Sequence, residues 1–334
     1  MNNAKNKYES LKSPECITFK SLYLNGKKSR TRIKGNNEVI FKKYSFLYFL
    51  LFTKNLSMRY LYLLSLLISL PVYSFTQGFN QIKVEKIKAG LILERWSGVH
   101  EKWGAQYILI LKAKYPKYRL DLAFAKDTLI KTSSFATQSN ALAAINGGFF
   151  DMKAGGSVSF LVSDGKIIHE NKPNVLSIDN EMGANALVIY ENGKGELLPT
   201  EGPTRIPMLK NVEDALVTGP LLLKNSQINS LQKRPFNDLK HPRSAICLGK
   251  KEIWLVAVDG RHKEATGLNL NELSQFLLSC GCQQAINLDG GGSTTLFLNT
   301  NKFVGIVNHP SDNKKFDPEG ERPVANILFI RKNN

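Results

Sequence analysis

The chain has 334 residues, 43% of them hydrophobic and 22% charged, an ordinary globular composition with enough length for one large domain or two small ones. The formal net charge is +17, but residues 1–57 hold twelve Lys/Arg against three Glu, so just over half of the excess sits in that segment. Charge concentrated at one end does not argue for a nucleic-acid partner of the folded part. From Met58 the sequence has the layout of an export signal. Arg59 supplies the positive start, 61–70 an apolar run, Pro71 a break, and Val72-Tyr73-Ser74 a cleavage point. The run is shorter than the ~20 residues that span a bilayer. The expectation is a signal peptide over 58–76, preceded by an over-long gene start or, in the alternative, by a basic tail on an uncleaved signal anchor. Either places the folded part outside the cytoplasm, periplasmic or secreted, with the membrane touched only through that segment.

Residues 77–104 read as a polar, Lys-rich approach segment, and 105–334 as a single catalytic domain. Strand-like runs follow at 107–112 and 120–125, then a short helix over 132–140 leading into Ala143-Ala144-Ile145. Further short strands are expected at 158–162, 175–178, 186–190 and 215–218, separated by Gly, Asn and Asp clusters. A strand pair is expected at 244–248 and 253–258. The best helix covers 269–280, with Leu270, Leu273, Leu277 and Leu278 near a 3.6 period. Asn269 and Glu272 suit its start and Gly281 its stop. Strands at 284–288, 295–298 and 324–330 complete the chain. Many short strands with few helices predict an α+β fold of mixed, largely antiparallel sheets.

Of four cysteines, Cys16 falls in the leader, leaving Cys247, Cys280 and Cys282. An odd count excludes a fully paired framework, and one intervening glycine suits a Cys280–Cys282 bridge poorly. No His completes a zinc-like spacing. This leaves buried small hydrophobes, with one bridge to Cys247 allowed.

Four segments place Gly and charge at strand ends: Asn146-Gly147-Gly148-Phe149-Phe150-Asp151, His241-Pro242-Arg243-Ser244, Asp259-Gly260-Arg261, and Asn287 to Thr294. In the last, Gly290, Gly291 and Gly292 carry no Cβ, so their N–H groups can crowd round an anion. Asp289 stands at the lip, and Ser293 and Thr294 add hydroxyls. A plain tight turn would need neither. Arg243, Arg261 and Arg322 matter because a guanidinium fork matches phosphate oxygens. His241, His262 and His309 lie near these motifs, though a lone loop His is more often bland.

Taken in order, AINGGFFDM (144–152), HPRSAI (241–246), LVAVDGR (255–261), GLNLNELSQFLLSCGCQQAINLDGGGSTTLFL (267–298) and ERPVANILFI (321–330) resemble the phosphodiester glycosidase family. The resemblance extends from about 105 to 332, and Cys247 departs from it where the family usually shows Gly. It implies hydrolysis of a sugar–phosphate diester at the anomeric carbon. A phosphomonoester leaves readily, so the chemistry needs an anion clamp, a carboxylate and a sugar pocket more than a strong acid. The resemblance implies Arg243 and Arg322 on the phosphate, with Gly291, Gly292, Ser293 and Thr294 as its nest. Asp289 is the first candidate carboxylate, with Asp259 and Glu321 behind it; Asn146, Gly147 and Thr218 line the sugar side. No cofactor is required, although Asp259, Asp289 and Asn146 are hard oxygen donors suited to a divalent cation. The partner expected is a carbohydrate phosphodiester. The rivals are a P–O-cutting phosphodiesterase or phosphatase, and a non-catalytic glycan-binding module. A binding module would want exposed aromatics, and Trp96 and Trp103 lie outside the matched stretches.

Overall fold

The structure is a computed structural model and describes residues 79–170, 181–200, 210–301 and 303–333. The chain divides into two units, Met1–Phe75 and Thr76–Asn334, and the described residues belong to the second. The signal-peptide reading and the strand expected at 175–178 therefore lie outside the described residues. In chain order the elements are β1 (Asn80–Lys88), β2 (Leu91–His100), β3 (Gly104–Lys114), β4 (Tyr118–Phe124), β5 (Ile130–Lys131), α1 (Thr132–Gln138), β6 (Ala143–Asn146), β7 (Leu161–Ser163) and β8 (Lys166–His169). They continue with β9 (Asn185–Tyr190), β10 (Gly195–Pro199), β11 (Val212–Thr218), β12 (Leu221–Lys224), β13 (Gln227–Ile228), α2 (Pro235–Asp238), β14 (Arg243–Leu248) and β15 (Glu252–Val258). The last are α3 (Leu270–Ser279), β16 (Gln284–Asn287), β17 (Leu296–Thr300), β18 (Phe303–Ile306), β19 (Pro323–Val324) and β20 (Asn326–Lys332).

Eight strands form one sheet in the order β1-β2-β3-β15-β14-β16-β12-β13. Two five-stranded sheets run β18-β17-β6-β20-β4 and β10-β9-β11-β7-β8, and β19 pairs with β5. Every pairing is antiparallel, which realises the expected α+β class. The central strands read as unbroken apolar runs because both of their faces are covered. In β15, Ile253, Leu255 and Ala257 enter one core while Trp254, Val256 and Val258 enter another. The first core lies between the large sheet and the β18-β17-β6-β20-β4 sheet, sharing Ile145, Leu296 and Leu328. The second is closed by α3 through Leu270, Leu273, Phe276 and Leu277. Across the smaller sheet, α1 packs Phe135 and Ala136 on Ala144, Phe297 and Ile327. The order of layers is thus helix, sheet, sheet, helix, and each buried Leu or Phe contributes about 1.5–3 kcal/mol.

The helix α3 begins as its sequence requires. Asn269 Oδ1 accepts the Glu272 N–H at 2.8 Å, and the Asn269 N–H donates to Glu272 Oε2 at 3.0 Å, a reciprocal cap. Gly281 closes it at φ +89°, a conformation a side chain would resist. Cys282 then bonds Cys247 on β14, with Cα atoms 6.0 Å apart, beneath the same helix. The one allowed bridge is therefore made, and Cys280 lies outside it.

Residues 77–104 are not an approach segment. They hold β1 and β2, which extend the large sheet from β3, and Leu91 and Leu93 are buried in the first core. The lysines that disguised this hairpin, Lys83 and Lys86, project from an exposed edge strand, where charge discourages unwanted pairing. Trp96 and Trp103 pack round Phe276, so they belong to the core under α3 instead of forming exposed platforms. The run at 158–162 becomes a strand only from Leu161, and that at 324–330 breaks at Ala325. There β19 pairs with β5, and β20 leaves to pair with β4 and β6. No helix among the described residues is long and apolar enough to cross a membrane.

Candidate active site

Antiparallel register brings the four Gly- and charge-bearing segments to one end of the facing sheets. Arg243 at the start of β14 lies opposite Val258 at the end of β15, and Ala245 lies opposite Asn287 at the end of β16. In the facing sheet, Leu296 at the start of β17 pairs with Ile145 near the end of β6. Asn146, Asp259 and Asp289 therefore emerge side by side although 143 residues separate the first from the last.

Asp289 is held by its backbone. Its N–H donates to the Gly147 carbonyl at 3.0 Å, and its carbonyl accepts Asn146 Nδ2 at 2.6 Å. Asn146 Oδ1 in turn accepts the Ser244 hydroxyl at 2.7 Å and the Thr295 N–H at 3.2 Å, so this fully buried side chain ties three strand ends together. Gly147 has no room for a side chain, since a Cβ there would stand 2.1 Å from Asn326 Oδ1. Thr218 Oγ1 donates to the Asn287 carbonyl at 3.0 Å and is likewise buried. Asn146, Gly147 and Thr218 thus brace the loop from beneath.

The loop Gly291–Ser293 makes one 3-10 turn, with Gly291 at φ +62°. It is less open as a nest than three glycines suggest. The Gly291 N–H reaches the Pro242 carbonyl at 2.9 Å, and the N–H groups of Ser293 and Thr294 close back on Gly290 and Gly291. The glycines instead make space for two cations. A Cβ on Gly291 would lie 3.0 Å from Arg261 Nη2, and one on Gly292 would lie 2.4 Å from Arg322 Nη2 and 2.5 Å from Asp312 Oδ1. Arg322 Nε holds Asp312 Oδ1 at 3.1 Å. Arg261 sits at φ +62°, a left-handed conformation that costs about 1–2 kcal/mol for a residue with a Cβ. Such strain concentrates at functional sites.

Burial pushes the Asp289 carboxyl up to about 6, although the Ser293 hydroxyl, the Gly290 N–H at 3.0 Å and the Arg322 and Arg261 cations all favour its ionised form. Desolvation therefore outweighs four stabilising neighbours. Buried polar atoms without a partner gather at the same loop: Asn287 Oδ1, Thr294 Oγ1 and Thr295 Oγ1. Unsatisfied groups of this kind are rare in a folded interior, and their concentration marks a place built to receive polar atoms.

Beside the loop, Asp259 is 1% exposed. Its Oδ1 accepts Asn308 Nδ2 at 2.9 Å, and its Oδ2 lies 2.7 Å from His309 Nδ1. The His309 backbone N–H reaches both oxygens, at 3.1 and 3.0 Å. Burial raises the Asp259 carboxyl, and His309 opposes the shift. Asn308 Nδ2 also reaches the Thr294 carbonyl at 3.0 Å, which joins this pair to the Gly-rich loop.

Three sequence expectations change. Arg243 is 2% exposed, and two of its three guanidinium nitrogens are committed to the protein: Nε donates to the Leu268 carbonyl at 3.0 Å, and Nη2 to those of Phe236 and Leu239 at 2.7 and 2.8 Å. Burial, followed by the nearby Arg261 charge, pushes it down to about 10. It buttresses the site, and Arg261 takes the exposed place beside Arg322. Glu321 accepts the Ser133 N–H and hydroxyl, each at 2.7 Å, so it caps the first turn of α1 and is not a second carboxylate for chemistry. The third change concerns a divalent cation. The Asp259 and Asn146 oxygens already accept protein donors, which leaves them fewer lone pairs for a cation than their residue types suggest. Among the described residues, metal-like spacing occurs at Asp121, Glu213 and Asp214, on β4 and β11, where Arg119 and Arg331 already pair with the carboxylates. The sequence placed Arg261 and His309 near the motifs but assigned neither a role in the site. The first was legible only as Asp-Gly-Arg, and the second stands 50 residues from its partner Asp259.

The sequence profile described as phosphodiester glycosidase matches residues 139–331. The chain is 30% identical over 185 residues to N-acetylglucosamine-1-phosphodiester alpha-N-acetylglucosaminidase of Bos taurus, covering 53% of this chain and 34% of that protein. The Homo sapiens protein of the same name is 30% identical over 197 residues, covering 57% and 37%. The chain thus spans about a third of the length of these curated relatives. The catalytic domain of the zebrafish protein of that name, solved auto-inhibited by its pro-peptide, shares the fold with a TM-score of 0.57 at 21% identity, over 76% of this chain and 87% of that one. With the profile match covering more than half of its length, including both glycine-rich segments and the Asp289 loop, the chain belongs to the phosphodiester glycosidase family.

Proposed function

We propose that this protein hydrolyses sugar-1-phosphodiesters at the anomeric carbon, releasing a free sugar and a phosphate monoester. The observation that carries the reading is Asp289, a carboxyl held near 6 at the lip of a loop on which two guanidinium groups rest. A phosphodiester bears one negative charge, and the bond to be broken joins it to C1. Arg261 and Arg322 supply planar donors for the phosphate oxygens and favour the second charge that develops as C1–O cleaves. Asp289, ionised above about pH 6, faces the positive charge that accumulates at C1. Water oxygen bonds to C1, the C1–O electron pair leaves with the phosphate, and one water proton is released. The leaving group needs little protonation, since the second pKa of a phosphate monoester is about 6. None of these steps calls on a metal.

The curated relatives' names point to N-acetylglucosamine as the first sugar to test. Export is part of the proposal and rests on the Met58 leader. The test incubates the full chain with N-acetylglucosamine-1-phosphodiesters in ¹⁸O-labelled water. Release of sugar carrying the label, abolished in Asp289→Ala, is the expected result. Label on phosphate would make the protein a P–O-cutting phosphodiesterase, and binding without turnover would make it a glycan-binding module.

A further inference from the structure

The reaction just described leaves one proton without an acceptor, and beside the loop the structure holds a buried carboxyl paired with a part-exposed imidazole. We infer that His309, positioned by Asp259, is the general base that takes the proton of the attacking water; the inference rests on the hydrolytic reading above.

The geometry is that of an oriented imidazole. His309 Nδ1 lies 2.7 Å from Asp259 Oδ2, and because a carboxylate only accepts, this nitrogen carries the hydrogen. Both Asp259 oxygens also accept the His309 backbone N–H, so backbone and ring are gripped by the same group. Phe316 stacks on the ring at 3.9 Å, and Tyr107 meets it edge-on at 4.9 Å, which fixes the ring plane. With Nδ1 protonated, the neutral ring presents an unprotonated Nε2. That nitrogen has no hydrogen-bond partner among the described residues, and the side chain is 21% exposed.

Its position adds the second argument. Asn308 on one side bonds the Thr294 carbonyl, and Asp312 on the other touches the space above Gly292. His309 is therefore carried on a segment that bonds the Asp289 loop through Asn308 and lies against it at Asp312. Asp259 is sealed at 1% exposure while the His309 side chain keeps 21%, which suits a buried orienter and a base that water can reach. In the step itself Nε2 takes a water proton as the water oxygen bonds to C1. The imidazolium is held by Asp259, and the proton then passes to solvent or to the departing phosphate. His309 is the catalytic residue; Asp259 is a positioning residue.

The test uses the full chain and three variants. His309→Gln and His309→Ala remove the base, and Asp259→Asn presents an amide that favours the Nε2–H tautomer. Loss of a positioned general base is expected to lower kcat by about 10²–10⁴-fold. The slope of the acid limb of log kcat/KM against pH is expected to change in His309→Gln, which a purely structural role would not produce. Added imidazole is expected to restore part of the activity of His309→Ala, which a structural defect would not allow. A thermal melt and far-UV circular dichroism of each variant serve as the folding control. Activity of His309→Gln within about threefold of wild type, with the slope unchanged, overturns the proposal. If the wild-type chain turns over no sugar phosphodiester, the hydrolytic reading fails separately, and ¹⁵N NMR of the histidines then decides the pair. An Nδ1–H tautomer for His309 supports the oriented imidazole, and an Nε2–H tautomer overturns it.

Discussion

Gly292→Ala isolates the placement of Arg322 from its presence. Gly292 lies outside the left-handed region, so alanine is compatible with its backbone. The added Cβ would nevertheless stand 2.4 Å from Arg322 Nη2 and 2.5 Å from Asp312 Oδ1, about 1 Å inside ordinary contact. Both obstructing atoms are ends of side chains, so the fold yields there first. Arg322 and Asp312 are 22% and 41% exposed, and a pair so open to solvent stabilises by less than about 1 kcal/mol. For a domain of this size that shifts Tm by no more than about 2–4 °C. Catalysis should suffer far more, because displacing a clamping group by ~1 Å costs on the order of 100-fold. The assay pairs sugar release from a sugar-1-phosphodiester with a thermal melt. Full activity with an unchanged Tm would show that Arg322 does not act through the position it holds over Gly292. A large fall in Tm would show that the loop is structural.

Three further predictions concern single interactions. The Asp289 carboxyl is raised to about 6 from an ordinary 3.8, so its ionisation opposes folding increasingly between those values and fully above them. Asp289→Asn should therefore unfold at higher urea than wild type at pH 7, by on the order of 1–3 kcal/mol, with the gain vanishing near pH 4; a gain independent of pH would refute this. The Cys247–Cys282 bond closes a separation of 35 residues, and its reduction should cost about 2–4 kcal/mol in urea unfolding. A loss under about 1 kcal/mol would mean that packing beneath α3 already imposes the same constraint. Glu321→Gln should weaken the α1 cap by about 1 kcal/mol while leaving kcat/KM within about threefold, and a hundredfold fall in kcat/KM would return Glu321 to the chemistry.

Local chemistry was legible wherever it depends on neighbours in sequence. The α3 helix, its Asn269–Glu272 cap and its Gly281 stop are local patterns, and the structure reproduces them. The β14–β15 pair was equally plain, because two runs of apolar residues separated by four polar ones have few other options. Burial on both faces removed the alternation that would have marked β14 and β15 individually, while the lysines of an edge strand concealed β1.

What a charged side chain does with its hydrogen bonds was beyond the sequence. Arg243 and Arg322 look equally suited to a phosphate in the primary structure, and Asp289 leads Asp259 and Glu321 as the carboxylate only through its glycine-rich setting. Three backbone carbonyls consume Arg243, the start of α1 consumes Glu321, and His309 with Asn308 consumes Asp259. Asp289 alone of the three carboxylates combines a raised pKa with the company of Arg261 and Arg322. The glycine-rich loop, the capped helix and the family are readable because each resides in contiguous residues. Which acid and which arginines stand together is not, because strand register sets partner choice between segments tens to more than a hundred residues apart.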